Sequence, residues 1–251
     1  MKRNLLIVVI LAVCSIGIVK GQTAADSLAI VSACWKIYNP QKGIVYKYAS
    51  IPQLYQGPQS ISLIEIDPLA GLKVGVAVSD KMKETSKIAS EHNAIAAING
   101  SYFDMKRGNS VCFLKTDRQV VDTTLQSEFK QRVTGAISVR KGEMKLIPWN
   151  KQIEKNYKGK AGTILASGKI LLITVDGRFP EQAGGVNIPE LAHLIRVLGG
   201  EDALNLDGGG STTLWLSGAS DNGVVNYPCD NGRFDHAGER KVPNILYITH
   251  Q

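Results

Sequence analysis

The residues whose types are best suited to catalysis or ligand binding lie in the stretch 205–213, Asn-Leu-Asp-Gly-Gly-Gly-Ser-Thr-Thr. Asp207 supplies a carboxylate directly before three glycines and three hydroxyl side chains. Ordering glycines costs more backbone entropy than ordering other residues, so a fold keeps three of them mainly where side chains would block a turn or a ligand. Unobstructed N–H groups beside hydroxyls suit an anion such as phosphate. The stretch therefore predicts an anion site beside an acid, with a tight hairpin turn as the alternative interpretation.

Better-known motifs do not describe this stretch. It lacks the lysine of a phosphate-binding P-loop and the Gly-x-Gly-x-x-Gly pattern of dinucleotide-binding proteins, and Ser211 is not framed as Gly-x-Ser-x-Gly. Nucleotide hydrolysis, dinucleotide binding and serine hydrolysis each lose their main support. An acid beside an anion site instead predicts chemistry on a phosphorylated substrate.

The glycine stretch is predicted to follow a strand–helix–strand unit. Residues 170–175 form a continuous apolar run, typical of a strand covered on both faces, and Asp-Gly-Arg follows at 176–178. Residues 189–198 repeat apolar side chains at helical spacing after a proline in the first turn, and 203–206 indicate a second strand. Such a unit is most economically a right-handed parallel crossover, whose strands end at one sheet edge. The two acid–glycine segments are therefore expected side by side.

The rest of the chain is predicted to complete an α+β (mixed α/β) fold, with a mixed sheet whose strand ends carry the site loops. The further predicted elements are a hairpin of strands 61–67 and 73–78, a helix over 85–92 with Thr85 as N-cap, a buried strand over 94–98, hairpins over 110–121 and 133–147, and a strand over 244–249. The polar residues 150–160 predict a loop or a short exposed helix. The buried strand would bring the segment 99–104 to a surface.

Residues 1–21 have the charge order and length of a secretory signal. Lys2 and Arg3 precede an apolar run that is short for a membrane span. We therefore expect an exported protein that is periplasmic, attached to the cell surface or secreted. A lipid anchor at Cys14 is the lesser alternative, because a bulky valine precedes that cysteine.

The predicted mature chain divides into a lead segment, 22–59, and a catalytic domain, 60–251, without a membrane span. Its composition, 44% hydrophobic and 20% charged residues for the whole chain, is that of an ordinary globular protein. Loss of the three cations of the signal lowers the formal charge from +7 to +4. That excess is too mild to favour nucleic-acid binding, and no basic stripe with aromatic residues supports it.

The mature chain would keep three cysteines, Cys34, Cys112 and Cys229, in a compartment that permits disulfides. At most one internal pair can form, and we expect Cys112 with Cys229, three buried free thiols being the alternative. No cysteine or histidine spacing suggests zinc. Among the histidines only His236 lies in a motif segment, where it could shuttle a proton.

Several ordered motifs together resemble the phosphodiester glycosidase family, over roughly residues 60–250. They are NGSYFD at 99–104, ITVDGR at 173–178, the helix at 189–198, ALNLDGGGSTT at 203–213, VVNYP at 224–228 and GERKVPNILYI at 238–248. The resemblance implies hydrolysis of the bond between a sugar's anomeric carbon and a phosphodiester, which releases the sugar and a phosphomonoester. Where family members carry Arg-x-x-x-Gly before the Asp-Gly-Arg strand, this chain has residues 160–164, Lys-Ala-Gly-Thr-Ile. An expected arginine is therefore absent or displaced.

The resemblance also implies roles for particular residues. Carboxylate functions at an oxocarbenium-like transition state fall to Asp207, Glu239 or Asp104. The implied substrate-binding residues are Asn99, Gly100, Asp176, Arg178, Asn205, Gly208, Gly209, Gly210, Ser211, Thr212 and Arg240. The expected partner is a glycosyl phosphodiester or phosphoglycan, and no cofactor is required.

Two other classes of function remain open from the residues. A divalent cation held by Asp104, Asp176 and Asp207 would make the protein a metal-assisted phosphodiesterase that breaks P–O rather than C–O. Alternatively, the chain is an envelope glycan-binding module without turnover, for which the missing arginine is the sequence hint.

Overall fold

The computed structural model describes residues 22–157 and 169–251. The predicted export signal with Cys14, and the segment 160–164, lie outside the described residues. Within the described ranges, no helix is long and apolar enough to cross a membrane.

Twelve strands and five α-helices make up the described part of the chain. In order they are α1 (Ala24–Val31), β1 (Lys36–Gln41), β2 (Ile44–Leu54), β3 (Gly57–Ile66), β4 (Leu72–Glu84), α2 (Thr85–Glu91), β5 (Ala96–Asn99), β6 (Leu114–Thr116), β7 (Gln119–Asp122), α3 (Gln126–Gln131), β8 (Gly135–Arg140), β9 (Glu143–Pro148), α4 (Lys151–Asn156), β10 (Ile170–Val175), α5 (Ile188–Val197), β11 (Leu214–Leu216) and β12 (Lys241–His250). Short 3₁₀ turns cover Pro68–Ala70 and Gly209–Ser211.

Two four-stranded antiparallel sheets form the centre of the fold. Sheet A has the order β1-β2-β3-β10, and sheet B has the order β11-β5-β12-β4. Ile64 and Leu172 of sheet A and Ile98 and Leu246 of sheet B belong to one buried apolar cluster. The main core therefore lies between the sheets, and the predicted α+β class is confirmed.

Helices cover the outer faces of both sheets. Ile30 of α1 and Leu194 of α5 are fully buried against sheet A, and Ile88 of α2 is buried against sheet B. A capping box starts α5, because the Asn187 side chain accepts the Glu190 N–H and the Glu190 carboxylate accepts the Asn187 N–H. These packed faces make the sheets a rigid support for the loops at their ends.

The predicted hairpin of strands 61–67 and 73–78 is wrong. β3 pairs with β2 and β10 in sheet A, whereas β4 pairs with β12 in sheet B. The 3₁₀ turn at Pro68–Ala70 and Gly71, whose φ is +76°, carry the chain from one sheet to the other. Both strands bury apolar residues, but their patterns do not specify which sheet each one joins.

The second strand of the predicted parallel crossover is also wrong. Residues 203–208 are irregular, and β10 pairs antiparallel with β3. After α5 the chain passes to sheet B, where the Asp207 N–H donates to the Gly100 carbonyl at 3.1 Å. Only Leu206 in the middle of this run packs against the core between the sheets. A four-residue apolar run of this kind does not distinguish a strand from an extended loop.

The other predicted elements are confirmed. They are α2, β5, the hairpins β6–β7 and β8–β9, β10, α5 and β12, together with α4 as the short helix after residue 150. Thr85 is the first residue of α2 rather than its N-cap, which is Glu84. The lead segment supplies α1, β1 and β2, while the division at residue 60 stays a prediction.

The expected disulfide between Cys112 and Cys229 does not form. The three cysteines in the described ranges are all free. Cys112 lies near Glu128 and Arg132, and burial raises the pKa of its thiol to about 12. Cys229 instead lines a cleft on the other side of the glycine residues. Sequence spacing alone did not reveal that the two thiols face different surroundings.

Gly100→Ala is expected to lower the free energy of unfolding by about 1–3 kcal/mol, the usual cost of overpacking. An added Cβ would overlap Asn244 Oδ1 and lie 2.7 Å from the Asn244 carbonyl oxygen in the neighbouring strand β12. Denaturant unfolding measures the change. Gly57→Ala is the matched control, because no atom lies within 4 Å of a Cβ added there. Equal losses of stability in the two variants would contradict this close approach.

Candidate active site

The side chain of Asn99 holds both ends of residues 208–212, which we call the glycine loop. Its Nδ2 donates to the Asp207 carbonyl at 2.7 Å, and its Oδ1 accepts the Thr213 N–H at 3.1 Å. Asn99 is only 2% exposed, so both contacts are shielded from water. Because Asn99 ends β5, the glycine loop is fixed to sheet B.

A second buried asparagine, Asn226, holds the same loop to sheet A. Its Nδ2 donates to Asp176 Oδ1 at 2.9 Å and to the Thr212 carbonyl at 3.1 Å. Its Oδ1 accepts the Leu214 N–H at 2.7 Å. Sequence reasoning missed Asn226 as a site residue, and its place in the Val-Val-Asn-Tyr-Pro segment was the available signal.

Asp176 acts as an internal acceptor at the end of β10. Besides Asn226, it accepts the Ser60 hydroxyl at 2.7 Å and the Tyr227 N–H at 2.9 Å. Burial raises the pKa of this carboxyl, while its hydrogen bonds act in the opposite direction. The donors occupy both carboxylate oxygens, which suits a residue that fixes the loops around the site.

Two arginine side chains lie against the glycine loop. Arg178 has φ +68°, and a Cβ added at Gly209 would lie 2.7 Å from its Nη2. A Cβ at Gly210 would collide with the Arg240 guanidinium, whose Nε donates to Asp230 Oδ1 at 2.9 Å. Within the described ranges Arg178 forms no ion pair or hydrogen bond. The glycines therefore allow two cations to approach the backbone closely, as side chains would not.

The glycine loop leaves backbone donors free. The Ser211 and Thr212 N–H groups bond to the carbonyls of Gly208 and Gly209, but the N–H groups of Gly209 and Gly210 have no acceptor in the described part of the chain. No atom lies within 4 Å of a Cβ added at Gly208, so the space beside it is open. Free N–H groups beside two guanidinium groups provide an anion site.

Asp207 directly precedes the glycine loop, and the Asp230 carboxylate, which pairs with Arg240, lies against Gly210. Burial raises the pKa of Asp207, whereas Ser211, its own contact with the Gly208 N–H, Arg132 and Arg240 lower it. The Ser211 hydroxyl is fully buried and makes no hydrogen bond of regular geometry within the described ranges. The Asp207 carboxylate thus has one backbone donor at 3.0 Å and lies in the field of two arginines.

Sequence reasoning missed Arg132, which follows α3. Its Nε donates to Glu128 at 2.6 Å, and its guanidinium lies 4.2 Å from the centre of the Tyr102 ring. The Tyr102 hydroxyl accepts a hydrogen bond from Asn205 Nδ2 at 2.8 Å. These contacts hold Arg132 near Asp207. No local motif marked it, because Arg132 lies between α3 and β8, far from Asp207 in sequence.

Glu239 is occupied by structural contacts. Its Oε2 accepts the Ser86 N–H at 2.9 Å, and its Oε1 accepts the Ser86 hydroxyl at 2.6 Å and Asn222 Nδ2 at 3.1 Å. Burial raises the pKa of this carboxyl. Glu239 therefore caps the start of α2, where backbone N–H groups lack partners within the helix.

Asp104 closes a tight turn. Its Oδ1 accepts the N–H groups of Lys106 and Arg107, at 2.8 and 3.1 Å, and its carbonyl accepts the Gly108 N–H at 2.7 Å. These backbone hydrogen bonds lower the pKa of the exposed carboxyl. The structure therefore gives Asp104 a local role in shaping its loop.

The acids proposed for a metal site do not converge. Among residues 22–157 and 169–251, no three histidine, cysteine, aspartate or glutamate side chains are placed to hold an ion together. The described geometry therefore does not provide the ligand set of Asp104, Asp176 and Asp207.

His236 donates from Nδ1 to the Asn226 carbonyl at 2.6 Å and stacks on Tyr227.

Two clefts lie near the glycine loop, the first lined by loop residues and the second by Arg240, which lies against Gly210. The first cleft, of about 350 Å³, is lined by Val175, Asp176, Gly177, Arg178, Gly184, Gly185, Val186, Asn187, Gly209, Thr212, Tyr227, Pro228 and Cys229. The second cleft, of about 310 Å³, is lined by Met82, Glu84, Phe103, Met105, Asp230, Glu239, Arg240 and Lys241. Both volumes lie at the small end of the range for ligand sites.

Glu239→Ala is expected to lower the free energy of unfolding by about 1–3 kcal/mol, because the N–H and hydroxyl donors of the buried Ser86 lose their acceptor. Thermal unfolding at neutral pH measures the effect. Glu143→Ala is the control, because Glu143 is exposed. Equal melting temperatures for the two variants would contradict the capping role of Glu239.

Comparisons with known proteins give a family match over part of the chain and a shared fold. Residues 161–249 match the family model of the phosphodiester glycosidases. The catalytic domain of zebrafish N-acetylglucosamine-1-phosphodiester alpha-N-acetylglucosaminidase, auto-inhibited by its pro-peptide, has a TM-score of 0.60 and 18% identity over 85% of this chain and 86% of that chain. A hypothetical protein from Synechocystis has a TM-score of 0.48 and 14% identity over 86% and 64% of the two chains. The comparison with curated proteins gave no match. In sequence the chain resembles the phosphodiester glycosidase family over residues 161–249, and it shares the fold of the zebrafish catalytic domain.

Proposed function

We propose that the protein is an exported glycosidase that hydrolyses the anomeric C–O bond of a sugar 1-phosphodiester. The products are the free sugar and a phosphomonoester. The observation that carries the proposal is the position of Asp207 directly before a loop whose Gly209 and Gly210 N–H groups have no acceptor in the described part of the chain and against which the guanidinium groups of Arg178 and Arg240 lie. The export signal expected over residues 1–21 supports the location.

The phosphate is assigned to the glycine loop. The free N–H groups of Gly209 and Gly210 donate to its oxygens, and Arg178, which has no acidic partner within the described ranges, supplies a positive charge. Arg240 adds a second cation on the opposite side, although Asp230 partly neutralises it. Such donors stabilise the charge that grows on the leaving phosphate as the C–O bond breaks.

Asp207 is assigned the carboxylate function at the anomeric carbon. Asp104, Asp176 and Glu239 each accept several hydrogen bonds from their surroundings and Asp230 is paired with Arg240, whereas Asp207 Oδ1 has one backbone donor. During cleavage the bonding electron pair leaves with the phosphate oxygen, and the oxygen of water becomes bonded to the anomeric carbon. A negative carboxylate stabilises the oxocarbenium-like charge at that carbon, and a phosphate leaving group needs little help from a general acid.

Arg132 is assigned a share in keeping Asp207 ionised, after the larger lowering effects of the Ser211 side chain and the Gly208 N–H on the Asp207 pKa. Its positive charge lowers the Asp207 pKa against the larger effect of burial. Glu128 and the Tyr102 ring hold the guanidinium in place. The sugar to test first is N-acetylglucosamine, because the name of the zebrafish neighbour specifies that substrate.

Asp207→Asn is expected to lower sugar release from glycosyl 1-phosphodiesters by about 100-fold or more, because the variant lacks the negative charge. A screen of such diesters with product analysis measures the rates. Hydrolysis in oxygen-18 water is expected to label the anomeric hydroxyl of the sugar. Asp221→Asn is the control, since Asp221 is exposed and has φ +57°, a conformation that asparagine tolerates.

Three results would contradict the proposal. Unchanged sugar release by Asp207→Asn would remove the assigned carboxylate. Label in the phosphate, with activity lost on chelation, would indicate a metal-assisted phosphodiesterase that breaks P–O. Saturable glycan binding without any product would indicate a binding module.

Arg132→Gln is expected to move the acidic limb of the kcat/KM profile to higher pH. Loss of the positive charge raises the Asp207 pKa further, so a higher pH is needed to ionise the carboxylate. Arg132→Lys, which keeps the charge, is expected to give a smaller displacement. Thermal unfolding of both variants separates this effect from loss of the contact with Glu128. An unchanged acidic limb in the folded Gln variant would contradict the assignment.

A further inference from the structure

We infer that the second cleft binds an apolar aglycone, the group attached to the far side of the phosphodiester. This inference rests on the function proposed above. The cleft adjoins the anion site directly, because Arg240 lines it and also lies against Gly210. The first cleft is lined by the neighbouring residue Gly209 of the same loop and by Arg178, which adjoins it. A phosphodiester has two substituents, and the two clefts provide one space for each.

The second cleft presents three apolar side chains, Met82, Phe103 and Met105. Met105 is 61% exposed, although it lies on an ordered turn. Methionine side chains adapt their shape to apolar partners, and an exposed one on a fixed turn is typical of a binding surface. Phe103 packs at its base against the apolar cluster beneath α2, so its position is fixed.

The turn that carries Met105 is held in place before any ligand binds. The Asp104 carboxylate accepts two backbone N–H groups, and Gly108 has φ +76°. A Cβ at Gly108 would lie 3.3 Å from Met82 Cγ, so the turn rests directly on the Met82 side chain. Met82 and Met105 are thereby brought to one wall of the cleft. The Asp104 carboxylate therefore contributes to this cleft by holding the turn that carries Met105.

Of the five charged residues that line the second cleft, four have an ionic or hydrogen-bonding partner within the described ranges, and Lys241 forms no ion pair there. Glu84 pairs with Lys87 at 3.1 Å, Asp230 pairs with Arg240, and Glu239 caps α2. A hydroxyl-rich substituent would find few free partners there. The first cleft offers Arg178, Asn187, Thr212 and Tyr227, together with exposed backbone at Gly209, which suit the hydroxyl and amide groups of a sugar. The sugar is therefore assigned to the first cleft and the apolar group to the second.

The test compares two ligands that differ only in the apolar group. Hexyl phosphate is expected to bind the wild-type chain at least about fivefold more tightly than methyl phosphate, measured by calorimetry, because apolar surface leaves water. The hexyl and methyl diesters of N-acetylglucosamine 1-phosphate are expected to differ in kcat/KM in the same direction. Met105→Gln is expected to bring both ratios close to one. Leu69→Gln, at a side chain that is 91% exposed on a distant turn, is the matched control and is expected to keep the wild-type ratios.

The outcomes separate this inference from the proposed function. Equal binding of the two phosphates, or an unchanged binding ratio in a folded Met105→Gln variant, would overturn the aglycone site even if both diesters are hydrolysed. Tighter binding of hexyl phosphate that depends on Met105 would support the aglycone site. If no diester of any tested sugar were then hydrolysed, the proposed function would fail while the binding site stood.

Discussion

The arrangement of the site depends on two buried asparagine side chains that hold one loop between two sheets. Asn99 bonds to the Asp207 carbonyl and the Thr213 N–H, and Asn226 bonds to Asp176 and the Thr212 carbonyl. An asparagine side chain supplies both a donor and an acceptor. Each one therefore makes hydrogen bonds with backbone C=O and N–H groups that are not paired within a sheet. Without these bonds, a loop rich in glycine would have no fixed conformation.

The position of the charges follows from this support. Arg178 extends from the end of sheet A and Arg240 from the start of β12 in sheet B, and the two approach neighbouring glycines. Because neither glycine has a side chain, both guanidinium groups reach the loop backbone. Asp207 lies just before the loop, where burial disfavours its ionised form and the arginines favour it. The site therefore combines a stabilised anion position with a carboxylate whose ionisation depends on its neighbours.

Sequence reasoning succeeded where a local pattern determines structure. Strand β10 and helix α5 were correctly predicted. A continuous apolar run indicates a buried strand, and apolar residues at helical spacing indicate a helix with one buried face. The expected proximity of segments 176–178 and 207–210 was also observed, though through a different topology. Strand pairing was less predictable: β4 joins the sheet opposite β3, a choice that depends on the turn at Gly71 and on distant partners. Arg132 carried no recognisable motif, because its relation to Asp207 exists only after the end of α3 has packed beside the site.

The sequence by itself determined the local elements, the glycine loop and the set of acids and arginines available for chemistry. The tertiary structure alone decided which of those groups are free to act. Asp104 and Glu239 have the same chemistry as Asp207, but backbone and side-chain donors occupy them in a turn and at a helix start. The physical reason is that a carboxylate's availability depends on the hydrogen bonds and burial around it, which for Asp104 come from its own turn and for Glu239 from Ser86, far away in the chain.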